Sequence, residues 1–276
     1  MLARSSTRTS ALAYRSGVAL ALVALLSAAP ACKGKEPRPA LKVAAAADLG
    51  PAFKEIGEAW EKKSRQKVTF SFGSTGLLAK QISEGAPFDV FAAANVSFVD
   101  DVVKSGACFG DSKALYARGR IVVWTKKDAP APPTTLADLK APRFVKVAIA
   151  NPGHAPYGRA AREALTKVGA WDAVSTKVVY GENVQQTLQF AQTGNVEAAI
   201  VALSLAMVSD GNVLPIDPAL HAPLDQALVV CKGAPGGSRE GDGRAFTAYV
   251  NSDDGRSIMK RFGFLLPGES VVSQGL

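Results

Sequence analysis

The sequence predicts an α/β protein with two domains, one inserted into the other, and three observations support this prediction. Short apolar runs alternate with segments of helical periodicity, which is typical of strand-helix-strand units with a mostly parallel sheet. The alternation is interrupted by the proline-rich stretch KKDAPAPPTT and then restarts. One more strand, DQALVVC, follows the second series. We therefore expect two crossings between the domains, which together form a hinge.

An export leader precedes the predicted fold. Three arginines come before the apolar run GVALALVALLSAAPA, and Cys32 follows that run. The run is too short for a comfortable membrane span, which indicates a signal peptide over residues 1–31. Two processing routes are open: ordinary cleavage after Ala31, or lipoprotein processing that leaves Cys32 as a lipidated first residue. The polar, proline-containing residues 32–40 predict a tether.

Charge and cysteine content narrow the classes of function. The chain of 276 residues has a net charge of +8, of which the leader contributes +3 and the tether +2, so the folded body is near +3. No cluster of lysines and arginines interleaves with aromatic residues, and we expect no nucleic-acid partner. Beyond Cys32 there are Cys108 and Cys231. In an oxidising compartment they either form one disulfide or remain two separate buried thiols.

The first series predicts three pairs of a strand and a helix. LKVAAAA leads through Asp48 into a helix over 50–63, and Pro51 suits its first turn. KVTFSFG leads into a helix over 76–84, and FDVFAAA leads into a helix near 96–105. The start of a helix leaves backbone N–H groups without partners and has a partial positive charge, so each junction can receive an anion.

The second series follows the strand GRIVVWT at 119–125. VKVAIAN leads into a helix over 157–168, and KVVYG into a helix over 183–193 before the strand VEAAIVAL. The strand DQALVVC and closing helices complete the chain. We expect a ligand cleft between the domains, where the carboxyl ends of the strands meet. The expected boundaries are domain I over 41–121 and 226–276, and domain II over 122–225.

Enzyme motifs are missing from the sequence. It has two histidines and contains no HExxH, CxxC, GxSxG or phosphate-binding P-loop motif. His154 fits a turn better than a catalytic role. Turns rich in small hydroxyl residues and glycine, such as SFGSTG and NPGHAPYG, precede helices instead. Neutral hydroxyls and helix N-termini suit a desolvated oxyanion, because they donate hydrogen bonds without a buried salt bridge. We expect a binding protein, with a hydrolase on this scaffold and a structural lipoprotein as alternatives.

Five motifs occur in a fixed order over about residues 41–265: VAAAADL, FSFGSTGLLAKQI, GAPFDVFAAAN, NPGHAPYGRAAREAL and RFGF. Together they resemble the periplasmic molybdate-binding proteins of ABC importers. The resemblance implies a type II periplasmic-binding-protein fold, or Venus flytrap, with a two-strand hinge. It implies a monomer that is not an enzyme and closes on molybdate or tungstate, with no cofactor and no separate metal site. The partner is an inner-membrane ABC permease, and the protein reaches the membrane only through a lipid on Cys32.

The resemblance also assigns the ligand positions. The first-turn position falls on Asp48 and the second on Thr75, with Ser74 beside it. In the second domain the backbone-donor positions fall on Tyr157 and Val184.

Two residues depart from the family pattern. The first-turn residue is a serine in the relatives and Asp48 here, and an ionised carboxylate beside a dianion repels it. Three interpretations are open. Asp48 holds or shares a proton with the ligand, it turns away and caps the helix, or the ligand is a different oxyanion or small molecule whose selection Asp48 alters. The second departure is Ala202, at a position where the family has a tyrosine, and we expect Ser204 to restore the hydroxyl.

Overall fold

A computed structural model describes residues 38–234 and 238–269. The predicted signal peptide, Cys32 and most of the tether lie outside the described residues. Within those ranges the chain folds into two five-stranded sheets, each flanked by helices. No helix there has both the length and the apolar character needed to cross a bilayer.

The first sheet is built from residues on both sides of the second. Its strands are β1 (Leu41–Ala46), β2 (Val68–Gly73), β3 (Val90–Ala93), β4 (Ala114–Gly119) and β10 (Leu224–Val230). Their order is β2-β1-β3-β10-β4, with β1 parallel to β2 and β3, and β10 antiparallel to β3 and β4. The helices of this lobe are α1 (Gly50–Ser64), α2 (Thr75–Ser83), α3 (Val96–Lys104), α8 (Glu240–Val250) and α9 (Asp253–Arg261).

The second sheet is continuous in sequence. Its strands are β5 (Ile121–Lys126), β6 (Val147–Ala150), β7 (Val178–Gly181), β8 (Ala198–Ala202) and β9 (Gly211–Pro215). Their order is β7-β6-β8-β5-β9, with β6 parallel to β7 and β8, and β5 antiparallel to β8 and β9. The helices of this lobe are α4 (Pro156–Lys167), α5 (Trp171–Ser175), α6 (Val184–Gln192) and α7 (Leu203–Ala206).

The predicted α/β class and two-lobed architecture are confirmed. The helices α1, α2, α3, α4 and α6 begin and end within one residue of their predicted limits. The apolar runs of β3, β6 and β8 are buried along their whole length, as expected for central strands covered by helices. The sequence did not predict β4 and β9. Both are edge strands, and their exposed and buried positions do not alternate regularly.

The two lobes are connected at two places. Arg120 is the single residue between β4 and β5, and residues 216–223 lead back from β9 to β10.

Cys108 and Cys231 form a disulfide within the first lobe, which decides between the two alternatives for these cysteines. In the second lobe Gly158 lets the first turn of α4 pack directly on the end of β6. A Cβ atom at Gly158 would lie 1.9 Å from the carbonyl oxygen of Ala150.

Candidate functional site

A small cavity lies between the lobes, where strand ends of the first lobe face helix starts of the second. Its volume is about 10 Å³, which is close to the space that one water molecule needs. The structure brings all five predicted ligand positions to this one cavity: Asp48, Ser74, Thr75, Tyr157 and Val184. The lobes are therefore closed on each other around the predicted site.

Three helices begin at the cavity. Thr75 and Val184 are the first residues of α2 and α6, and Tyr157 is the second residue of α4. Backbone N–H groups at these positions have no acceptor within their own helix. Pro156 suits the first position of α4, and the Asn183 side chain caps α6 by accepting a hydrogen bond from its backbone. Three partially positive helix ends thus converge on one small volume, which favours an anion.

Asp48 is almost fully buried, with 1% of its surface exposed. Its Oδ2 accepts hydrogen bonds from Tyr157 Oη at 2.8 Å and from Gln226 Nε2 at 2.7 Å. Its Oδ1 is also buried and has no hydrogen-bond partner among the described residues. Burial raises the pKa of the Asp48 carboxyl from 3.8 to about 6, although the hydrogen bonds from Gln226 and Tyr157 oppose this change.

The interpretation in which Asp48 turns away and caps the helix is wrong. Asp48 lies in a short 3-10 helix, Ala47–Leu49, that precedes α1. The N-cap residue of α1 is Leu49, and no side chain caps this helix. The extra turn places the Asp48 side chain before the start of the helix, where two buried donors hold it at the cavity.

Ser204 also differs from expectation, because it does not supply a hydroxyl to the cavity. Its Oγ is buried and donates a hydrogen bond of 2.7 Å to the main-chain oxygen of Asp48. The short helix α7 begins directly after β8, and this turn directs the side chain to the backbone of the first-turn residue. Ser204 thus joins the two lobes beside the site.

His154 forms a second connection between the lobes. Its main-chain oxygen accepts hydrogen bonds from Ser74 Oγ at 2.9 Å and from Gly76 N at 2.9 Å, and its Nδ1 lies 2.8 Å from Ser74 Oγ. The Ser74 hydroxyl is therefore occupied in this closed arrangement. Thr75 Oγ1 accepts a hydrogen bond of 3.2 Å from the backbone of Ala94. A catalytic role for His154 has no support, since its contacts are those of a residue in a turn.

Sequence reasoning missed two residues beneath the cavity. Gln226 Oε1 accepts a hydrogen bond of 2.8 Å from Tyr116 Oη, and this fixes the direction of the Gln226 amide. The amide nitrogen then faces Asp48 and Tyr157. Burial and the nearby Asp48 raise the pKa of Tyr116 and of Tyr157, so both phenols stay protonated. The sequence contained one indication of Gln226, a glutamine within the apolar strand DQALVVC. A polar side chain buried in such a strand requires hydrogen-bond partners.

The sequence matches known proteins over most of its length. The profile of the bacterial extracellular solute-binding protein family matches residues 41–265. The chain is 33% identical to the molybdate-binding protein ModA of Rhodobacter capsulatus over 253 residues. This alignment covers 90% of this chain and 94% of the relative. It is 32% identical over 251 residues to a Bacillus subtilis protein provisionally named ABC transporter substrate-binding lipoprotein YvgL. This alignment covers 89% of this chain and 94% of that protein.

Solved structures have the same architecture. The periplasmic molybdate-binding protein of Azotobacter vinelandii superposes with a TM-score of 0.75 at 26% identity, covering 82% of this chain and 99% of that chain. The sulfate-binding protein SubI of Mycobacterium tuberculosis superposes with a TM-score of 0.72 at 14% identity, covering 83% and 87%. At that lower identity the second likeness concerns the fold alone.

Proposed function

Because this chain belongs to the bacterial extracellular solute-binding protein family, we propose that it captures molybdate or tungstate between its lobes and delivers the ion to an ABC permease. The observation that supports this most strongly is the meeting of the five assigned positions at one buried cavity between the lobes. The names of the relatives at about one-third identity support the choice of molybdate. Binding and release of an ion require no catalytic step.

The expected limits of the lobes, 41–121 with 226–276 and 122–225, shift by one or two residues in this proposal, because Ile121 already lies in β5 of the second sheet and Leu224 already lies in β10 of the first. The site is buried between the closed lobes, so an ion enters it while the lobes are apart. The N–H groups of Thr75, Tyr157 and Val184 then donate hydrogen bonds to the ion as the lobes close. Bound ion shifts the population toward the closed form, which the permease recognises.

Hydrogen bonds across the cleft define the closed form. Tyr157 Oη to Asp48 Oδ2, Ser204 Oγ to the Asp48 main-chain oxygen, and Ser74 Oγ to the His154 main-chain oxygen each join the two lobes. They are lost when the lobes separate. Together they make closure a discrete step, because one rigid movement forms or breaks all of them.

We further propose that the chain is exported to the periplasm as a monomer and is anchored through a lipid on Cys32. The arginines and apolar run before Cys32 support export, and the position of Cys32 after that run supports the anchor. The mild charge of the folded body gives no support for a nucleic-acid partner. Metabolic labelling with a radioactive fatty acid tests the anchor, since the native chain should be labelled and Cys32→Ala should not.

Calorimetric titration of the mature chain, residues 32–276, with molybdate, tungstate, sulfate and phosphate tests the function. We expect one site that binds molybdate and tungstate tightly and responds little to sulfate. Absence of binding to all four anions would refute the proposal. Asp48 favours one second candidate, a different oxyanion. Tighter binding of phosphate, which is protonated at neutral pH, than of molybdate would identify that alternative.

A further inference from the structure

A buried carboxyl group with one free oxygen lies at the proposed anion site. We propose that Asp48 takes up one proton from solvent when the oxyanion binds and then donates a hydrogen bond to it. Capture of a dianion is thereby coupled to uptake of a proton, and Asp48 selects ligands that accept this hydrogen bond. This inference rests on the proposed function.

The hydrogen bonds around Asp48 determine which oxygen receives the proton. Tyr157 and Gln226 both donate to Oδ2, and the bond from Tyr116 fixes the Gln226 amide in that direction. Oδ2 is therefore the acceptor of the carboxyl group. Oδ1 is buried without a partner among the described residues, so a proton on Oδ1 is available to an oxygen of the ligand.

Among the residues that the structure describes, no positive side chain balances this carboxylate. In the described part of the chain no lysine, arginine or histidine nitrogen lies within 4.0 Å of it, since Asp48 takes part in no ion pair. Arg120, at the crossing between the lobes, donates its Nε to the main-chain oxygen of Gly263. An ionised Asp48 beside a dianion would bury three negative charges without a cation, which a protein avoids by protonating one group.

Few titratable groups face Asp48 from the surrounding elements. The short helices α6 and α7 contain none, and the end of β2 contains none. On α1 the nearest are Lys54, which is exposed, and Glu55, which pairs with Arg261. On α4 Arg159 is exposed and lies over the ring of Phe98, and Arg118 on β4 pairs with Asp225 on β10. The phenols of Tyr116 and Tyr157 also face Asp48, and the imidazole of His154 lies on the other side of Ser74. A variant of His154 separates its contribution from that of Asp48.

The direction of the pH dependence follows from the closed form before an ion is bound. In that form burial raises the pKa of Asp48 to about 6, and a bound dianion raises this pKa further. Below pH 6 Asp48 in the closed form already carries its proton, so affinity changes less with pH. Above pH 6 the proton must be taken from solvent, and affinity falls by up to about tenfold per pH unit.

Calorimetric titration with molybdate in buffers of different ionisation enthalpy measures the number of protons taken up. For the mature protein we expect about one proton per ion at pH 8 and a smaller uptake below pH 6. Asp48→Asn keeps a donor at this position, and we expect it to bind with no proton uptake and no pH slope. His154→Gln should retain the uptake, and so should Asp210→Asn, a control at an exposed ion pair with Lys127.

The outcomes separate this inference from the function on which it rests. Absence of anion binding at every pH would refute the proposed function and this inference together. Tight molybdate binding by the native protein without proton uptake at pH 8 would refute the inference alone, as would full uptake by Asp48→Asn. Should Asp48→Asn fail to fold, as judged by circular dichroism, the native titration and Asp48→Ser still decide the question.

Discussion

Gly119 provides the sharpest test of the closed arrangement, because it has no side chain at a point where the two lobes meet. A Cβ atom at this position would lie 2.1 Å from Tyr157 Oη and 3.0 Å from Gln226 Nε2. Gly119 belongs to the first lobe and Tyr157 to the second. In Gly119→Ala the lobes must stay apart or the phenol must leave Asp48, so the closed form loses at least the Tyr157–Asp48 hydrogen bond.

A buried hydrogen bond of this kind stabilises by about 1 to 3 kcal/mol, depending on the charge of its acceptor. At 1.4 kcal/mol per factor of ten, Gly119→Ala should weaken molybdate binding by about 5- to 150-fold. Opening relieves the clash with Tyr157 without unfolding either lobe, and Gln226, which is in the same lobe as Gly119, has to give only a few tenths of an ångström. The melting temperature of the ligand-free protein should therefore change by no more than about 4 °C, the shift expected for about 1 kcal/mol in a chain of this size.

Calorimetry and small-angle X-ray scattering test this prediction, with Gly241→Ala as the control. A Cβ atom at Gly241 would meet nothing within 4 Å, so this variant should bind as the native protein does. Tyr157→Phe removes the same hydrogen bond without a clash at the main chain. The double variant should then lose less affinity than the two single losses combined, because the shared bond is lost only once. Native affinity in Gly119→Ala, or full additivity in the double variant, would refute the reasoning.

Three further predictions concern Asp48, the disulfide and the His154 connection. Since burial raises the pKa of Asp48 from 3.8 to about 6, the free energy of unfolding of the native protein should fall by about 2 kcal/mol relative to Asp48→Asn between pH 4 and pH 7. A difference that stays constant in urea titrations would contradict this. Replacing Cys108 and Cys231 by serine opens a covalent ring that spans a sequence separation of 123. This should lower the free energy of unfolding by about 3 to 5 kcal/mol without altering molybdate affinity. An unchanged urea midpoint would argue against this prediction. Ser74→Ala removes the side-chain hydrogen bond to His154 and should weaken molybdate binding, measured by calorimetry, by about 2- to 10-fold. Binding at native strength would show that this bond does not contribute to closure.

The sequence predicted the parts of the fold that depend on local pattern. Central strands such as β6 have no polar residue because helices cover both faces, and helix limits follow from proline and asparagine at the first turns. The edge strand β9 was missed for the opposite reason, since partial exposure removes the apolar pattern. The convergence of helix starts at one cavity was also predictable, because parallel strands direct the following turns to one edge of their sheet.

The arrangement around Asp48 could not be predicted in the same way. Its partners Tyr157 and Gln226 are 109 and 178 residues away in sequence, and no periodicity links such distant positions. The prediction for Ser204 was wrong because the orientation of its hydroxyl depends on how α7 begins, within one residue. Contacts of this kind are determined by packing between the lobes, and a single sequence does not record that packing.

The position of β10 imposes an order on folding. This strand lies between β3 and β4 in the first sheet, yet it is synthesised only after the whole second sheet. Until β10 arrives, β4 has no neighbour within its own sheet, so the first lobe stays incomplete while the second already has all five of its strands. As the chain emerges N-terminus first, we expect the inserted lobe to fold before the lobe that encloses it. The disulfide can form only after Cys231, which directly follows β10, has been synthesised.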